Sequence, residues 1–191
     1  AELGHSVVKV PPLDDGEMEE VKAAYPTLAR PFNNAALRNM LRNPYFLDRA
    51  LQFDWSPEHP LPQSEWELRA LFWREIVRAD HRSTGGMPRR RADAFVQIAL
   101  RRAQNLSLYA DCGDLDPEVV SSLRNDSLIV SHPESDVLIA PAHDVLEDWA
   151  ILHWMQEQYV RCQGAVREFA VAIGTHPAVR RAYRKWVTEL V

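Results

Sequence analysis

The chain is short of the parts that phosphoryl transfer, zinc binding and disulfide scaffolds require. Its 191 residues include two cysteines, Cys112 and Cys162, far apart and without metal-ligand spacing around them. That argues against a disulfide framework or structural zinc and for a reducing compartment. There is no Gly-x-x-x-x-Gly-Lys-Ser/Thr phosphate loop, no apolar run ending in the paired acids that hold magnesium, and no Gly-x-Ser-x-Gly elbow. Phosphoryl transfer depends on such a loop and metal for positioning and charge neutralisation, so the chain alone is expected to carry no catalytic residue. No apolar run approaches the roughly 18–20 residues of a spanning helix, and no basic n-region leads into an apolar h-region. The formal net charge is -5, which removes any global electrostatic reason for nucleic acid or an anionic membrane as main partner. His153 and His176 lack paired ligands, so no metal site is expected. The expectation is a soluble, cytoplasmic protein.

What is present is the composition of an ordinary globular protein, 46% hydrophobic and 26% charged, which excludes a disordered chain. The length suits one large domain or two small ones. It begins at Ala1 without an initiating Met, as a trimmed chain or a piece of a longer protein would. Ser6-Val7-Val8-Lys9-Val10 reads as a single strand stopped by Pro11-Pro12, with Val7 to Val10 the last strand of a sheet encoded further upstream. Acidic residues from Asp14 to Glu20, with Met18 and Val21, predict a short helix ending near Pro26. Asn33 or Asn34 caps a second helix through Leu37 and Leu41, and Asn43-Pro44 opens a third from Tyr45 to Leu51. Three prolines between Asp54 and Ser64 mark a boundary.

Ser64 then caps a helix with apolar side chains at Trp66, Leu68, Leu71, Phe72, Trp73, Ile76 and Val77, on more than one face and ending by Gly85-Gly86. Pro88 begins the next, with the stripe Ala92, Phe95, Val96, Ala99, Leu100 and Ala103. Asp116-Pro117 starts a shorter helix with Val119, Val120 and Leu123 inward. Two short strands, 128–130 and 137–139, flank the polar turn 131–136 and form a hairpin. Helix, helix and hairpin describe a winged helix. Its second helix carries Asp116, Glu118 and Asp126 against Arg124, the wrong sign for a phosphate-lined groove. Arg89, Arg90, Arg91, Arg101 and Arg102 form a basic face one helix earlier; a solvated surface is the plain explanation, and phosphate or partner contact by that face stays open.

The most informative stretch is Ala142-His143-Asp144-Val145-Leu146-Glu147-Asp148-Trp149-Ala150, where a strand gives way to an amphipathic helix. Asp144 is the expected N-cap, with Glu147 reaching back to complete a capping box. His143 would then lie at the positive end of a helix, where a neutral imidazole can donate to an anion without burying a fixed charge. After it, Val145, Trp149, Leu152, Met155 and Tyr159 recur at helical spacing, and two further helical stretches follow, around 166–173 and 178–190.

This string resembles the "MHD" motif of STAND NTPases, the switch ATPases that include the NB-ARC and NACHT groups, with Ala142 in place of the methionine. Arg42-Asn43-Pro44 similarly resembles their "GxP" element, with Arg42 where glycine is frequent. The resemblance implies that Pro44 packs on the adenine of ADP or ATP, since a ring without an N–H can lie flat on a base. It implies that His143 meets the β-phosphate, with Mg supplied in the parent protein. The implied layout is mainly α: 1–12 ending a nucleotide-binding core, 13–54 a helical lid subdomain, 64–160 a winged-helix domain with a two-stranded β-hairpin wing, and 161–191 opening a helical arm. The implied partners are the core and sensor repeats of the parent and further copies on activation, with the fragment alone not holding nucleotide tightly. The alternatives are a free-standing winged-helix DNA-binding regulator and a helical protein-interaction module.

Overall fold

The computed structural model describes residues 11–189. Among these the chain is mainly helical, with ten α-helices and one small antiparallel sheet of three strands. The expected strand at Val7–Val10 lies outside the described residues. The chain divides into two compact units, Ala1–Phe72 and Trp73–Val191. The division falls downstream of the proline-rich segment that was expected to separate domains.

In the first unit, α1 (Asp15–Ala24) begins with a reciprocal capping box. The Glu17 amide donates to Asp14 Oδ1 at 2.9 Å and the Asp14 amide to Glu17 Oε2 at 2.8 Å, so two donors that the first helical turn leaves unpaired are satisfied. A 3-10 turn (Pro26–Leu28) leads into the short α2 (Ala29–Phe32). Asn34 caps α3 (Ala35–Leu41), and Asn43 caps α4 (Pro44–Ala50) through the Tyr45 amide at 2.9 Å. Both caps agree with the sequence, because a short side-chain amide is the right length to reach an N2 or N3 donor. Leu37 and Leu41 on α3 and Ala50 on α4 are fully buried. The segment after α4 is stitched down: Trp55 Nε1 donates to Ala50 O at 2.7 Å, and Arg30 donates to the carbonyls of Trp55 and Ser56. In α5 (Glu65–Phe72) Leu68 and Phe72 form the buried face. Trp66, one of the apolar residues expected on more than one face, is 51% exposed; two residues from Leu68 on a helix is about 200° around the axis.

The second unit opens with a π-helical turn, Trp73–Arg78, where the sequence predicted an unbroken helix to Gly85. Beyond that turn the helix stops: the Arg91 guanidinium donates to Val77 O and Ile76 O, both at 2.8 Å, and so satisfies carbonyls that a continuing helix would have used. α6 (Met87–Asn105) is the central element, packed against the π turn, α7, α8, α10 and the sheet. Its buried face holds Ala92, Phe95, Val96, Ala99 and Ala103 as expected and adds Ala94 and Ile98, whereas Leu100 of the expected stripe is half-buried. α6 stops where Leu106 adopts a left-handed conformation at φ 50°.

β1 (Ala110–Asp111), α7 (Pro117–Asn125), β2 (Ile129–His132) and β3 (Ser135–Pro141) follow. The sheet order is β1-β3-β2, with Ala110 opposite Ile139 and Val130 opposite Ala140. The hairpin is where the sequence put it, but its second strand, β3, also pairs with β1 and so is the centre of a three-stranded sheet. β1 was missed because two residues, one inward and one outward, carry no readable alternation. α8 (Asp144–Arg161), α9 (Val166–Ile173) and α10 (Pro177–Glu189) complete the unit. α9 and α10 pack on α8 within this unit. Tyr159, Phe169 and Trp186 cluster there, with ring centroids 5.0–5.4 Å apart.

Candidate functional site

His143 stands between β3 and α8, and its backbone is extended (φ −149°, ψ 144°) while Asp144 is already helical. The N-cap is therefore His143, whose Nδ1 accepts from the Val145 amide at 3.2 Å. This corrects the expected assignment of Asp144 as cap and Glu147 as its capping-box partner. An imidazole reaching forward two residues takes the cap, and the carboxylates are drawn elsewhere by an arginine. Asp144 Oδ1 lies 3.1 Å from Arg102 Nη2, and Glu147 Oε2 lies 2.9 Å from Arg102 Nη1. Asp144 stays on the surface, whereas Glu147 is 7% exposed.

The cap selects a tautomer. An Nδ1 that accepts a hydrogen bond carries no proton, so the neutral ring holds its proton on Nε2, where it is a donor. His143 is exposed and lines an open cleft of about 330 Å³ with Arg102, Leu108, Tyr109, Pro141 and Asp144. An imidazole and a guanidinium in one cleft are groups that bind phosphate-type anions, but Arg102 is already paired with Asp144 and Glu147, whose carboxylates oppose an anion there. Arg102 is the cationic neighbour of His143 that the sequence did not single out. It stood among five arginines, and only packing of α6 beside the β3–α8 junction separates it from the rest.

Arg89 is exposed, and the other three arginines of that set are engaged in structure. Arg90 pairs with Asp116 at 2.6 Å and Arg101 with Asp114 at 2.7 Å. The Arg101 hydrogen bond holds the Asp114 carboxyl down at about 2. Arg91, 1% exposed, binds Asp126 at 2.6 Å besides its two carbonyls and Ser122. Burial lowers its pKa, and Asp126 opposes that shift. On α7, Asp116, Glu118 and Asp126 all face arginines. The basic face of α6 is thus largely neutralised by α7 and its flanks.

Pro44 is N1 of α4, half-buried, in the first unit, whereas His143 belongs to the second. Its neighbour Tyr45 has its hydroxyl pKa raised by burial, and the Arg49 guanidinium lies 5.6 Å from the Tyr45 ring centroid. Arg42, where the resembled motif often has glycine, binds back to Leu13: its Nη1 donates to Leu13 O at 2.8 Å, its carbonyl accepts from the Leu13 amide at 2.8 Å, and it pairs with Asp15. Arg42 therefore ties the start of α1 to the end of α3 and is not turned toward Pro44's ring by any of these contacts.

Among the described residues no group of three or more His, Cys, Asp and Glu side chains is placed to hold a metal ion, and no helix is long and apolar enough to cross a membrane. No protein-family model matches the chain, and no curated protein matches it either.

Proposed function

We propose that the chain is a regulatory piece of a STAND-type switch ATPase, a helical lid followed by a winged helix, acting on nucleotide held by a core in the parent protein. The observation that carries this reading is His143: an exposed imidazole at a strand-to-helix junction, capping α8 through Nδ1 and sharing a cleft with Arg102. The α6-β1-α7-β2-β3 order, with a hairpin packed beside two helices, supports the winged-helix assignment. The order of Asn43-Pro44 and then the His143 junction supports the lid assignment.

In this reading Pro44 rests on the base and His143 donates from Nε2 to a phosphate of ADP. ADP then bridges the core to the winged helix and stabilises a closed state, and exchange for ATP removes the bridge and permits self-assembly. The nucleotide shifts the equilibrium only by the difference in its affinity for the two states. The chain's own contribution is positioning: the Val145 amide orders the imidazole.

The test uses the full-length parent. His143→Ala is expected to lose co-purifying ADP and to raise basal self-assembly, measured by nucleotide extraction and light scattering. Unchanged ADP retention and unchanged assembly refute the role of His143. The reading frame upstream supplies a cheaper check: a phosphate loop and an acid-ended strand are expected within one domain's length, roughly 150–250 residues.

A further inference from the structure

Glu147 is a carboxylate in the wrong place for an inert surface helix. It is 7% exposed, and burial raises its pKa against the pull of Arg102 and Arg181. Arg102 approaches from α6 at 2.9 Å, but the contact is an ion pair without hydrogen-bond alignment, and Oε2 has no aligned donor. Arg181 approaches from α10, 3.9 Å from Oε1, while also binding Asp148 at 2.6 Å. Arg102 is itself divided, since it also holds Asp144 beside His143. One half-compensated carboxylate therefore links three helices. A small cleft of about 240 Å³ lies over it, lined by Arg102, Leu106, Ser107, Pro177, Ala178 and Arg181.

We infer that Arg102, Glu147 and Arg181 form an electrostatic latch that makes the docking of α10 depend on Arg102 remaining at Glu147. A buried carboxylate that loses its nearest cation must regain water or a proton. Water reaches Glu147 most directly through the cleft that the start of α10 covers, so loss of Arg102 loosens α10. Apolar anchors oppose release: Val179, Ala182 and Trp186 are buried, and Trp186 Nε1 donates to Gln156 at 3.0 Å. The device is thus a docked helix whose hold is weakened at one end, and Arg102 is the residue through which the His143 face reaches it. The latch uses only residues of the second unit and does not depend on the nucleotide-switch reading.

Hydrogen exchange of the intact chain tests this. Arg102→Gln is expected to speed exchange in residues 177–189 by about tenfold or more, below the roughly hundredfold of a fully broken buried pair because Arg181 still faces Glu147, with α7 amides unchanged. Glu147→Gln combined with Arg102→Gln is expected to restore protection, because a neutral amide needs no cation. Arg181→Gln, at an exposed side chain that should leave folding intact, is expected to speed the same amides by about threefold. Unchanged protection in both single variants overturns the latch. Failure of the double variant to restore protection overturns its electrostatic origin and leaves Arg102 a packing residue.

Discussion

Replacing Arg91 by alanine tests the claim that the fold of the second unit is organised around one buried guanidinium. The side chain is 1% exposed and serves four acceptors: the carbonyls of Ile76 and Val77, Ser122 and Asp126. Leaving two inward-facing carbonyls without donors costs about 1–3 kcal/mol each. Breaking a buried ion pair adds about 3–5 kcal/mol, reduced here because Asp126 keeps Arg82 at 2.6 Å. The loss is therefore expected near 4–6 kcal/mol, a large part of the ~5–15 kcal/mol that holds a typical domain. Arg91→Lys keeps the charge, but one ammonium cannot match the planar fork, and a loss of about 2–3 kcal/mol is expected. Arg89→Ala, beside it in sequence but 84% exposed in its side chain, should cost less than ~0.5 kcal/mol. The assay is urea unfolding followed by tryptophan fluorescence, since Trp73 and Trp149 are buried in this unit. A loss below about 1 kcal/mol for Arg91→Ala, or one equal to that of Arg89→Ala, refutes the reasoning.

Further outcomes follow from the same geometry. Asn43→Ala removes the cap of α4 and should lower the stability of the first unit by about 1 kcal/mol, whereas Asn43→Ser should restore most of it; denaturant midpoints decide. The Asp114 carboxyl is held at about 2 by Arg101. A depressed carboxylate contributes stability that is complete above the ordinary carboxylate pKa and is lost as pH falls toward the folded value. Acid unfolding of Asp114→Asn should therefore show a shallower pH dependence between roughly pH 4 and 2 than the wild type, and an identical profile would show that the Arg101 pair contributes nothing. Glu147 has the opposite sign: its raised pKa makes the charged form costly, so Glu147→Gln should be at least as stable as wild type at neutral pH, with the advantage shrinking on acidification as the wild-type carboxyl takes up its proton. Duplex DNA should show no salt-sensitive binding in fluorescence anisotropy, because α7 and its flanks carry acids paired to arginines; a steep loss of affinity with salt would favour the DNA-binding reading.

What could be read from the sequence were the features governed by near neighbours. Asn34, Asn43, Ser64 and Asp116 marked helix starts correctly because a cap is a contact over two or three residues. The stripe on α6 was legible from its spacing, and the hairpin from two apolar runs around a polar turn. The junction at His143 was legible too, but the identity of the cap was not. Asp144 is the better cap by propensity, and it is diverted by Arg102, forty-two residues earlier in the chain. The same distance hid the burial of Glu147, which reads as an exposed first-turn acid until α6 and α10 close over it. Arg91 shows the rule most plainly. Three successive arginines read as one solvated face, yet one is exposed, one is paired at the surface and one is buried at the centre of a network. Local spacing determined which segments are helices and where they start; only tertiary packing decided which charges meet, because a charge takes its partner from space and not from sequence.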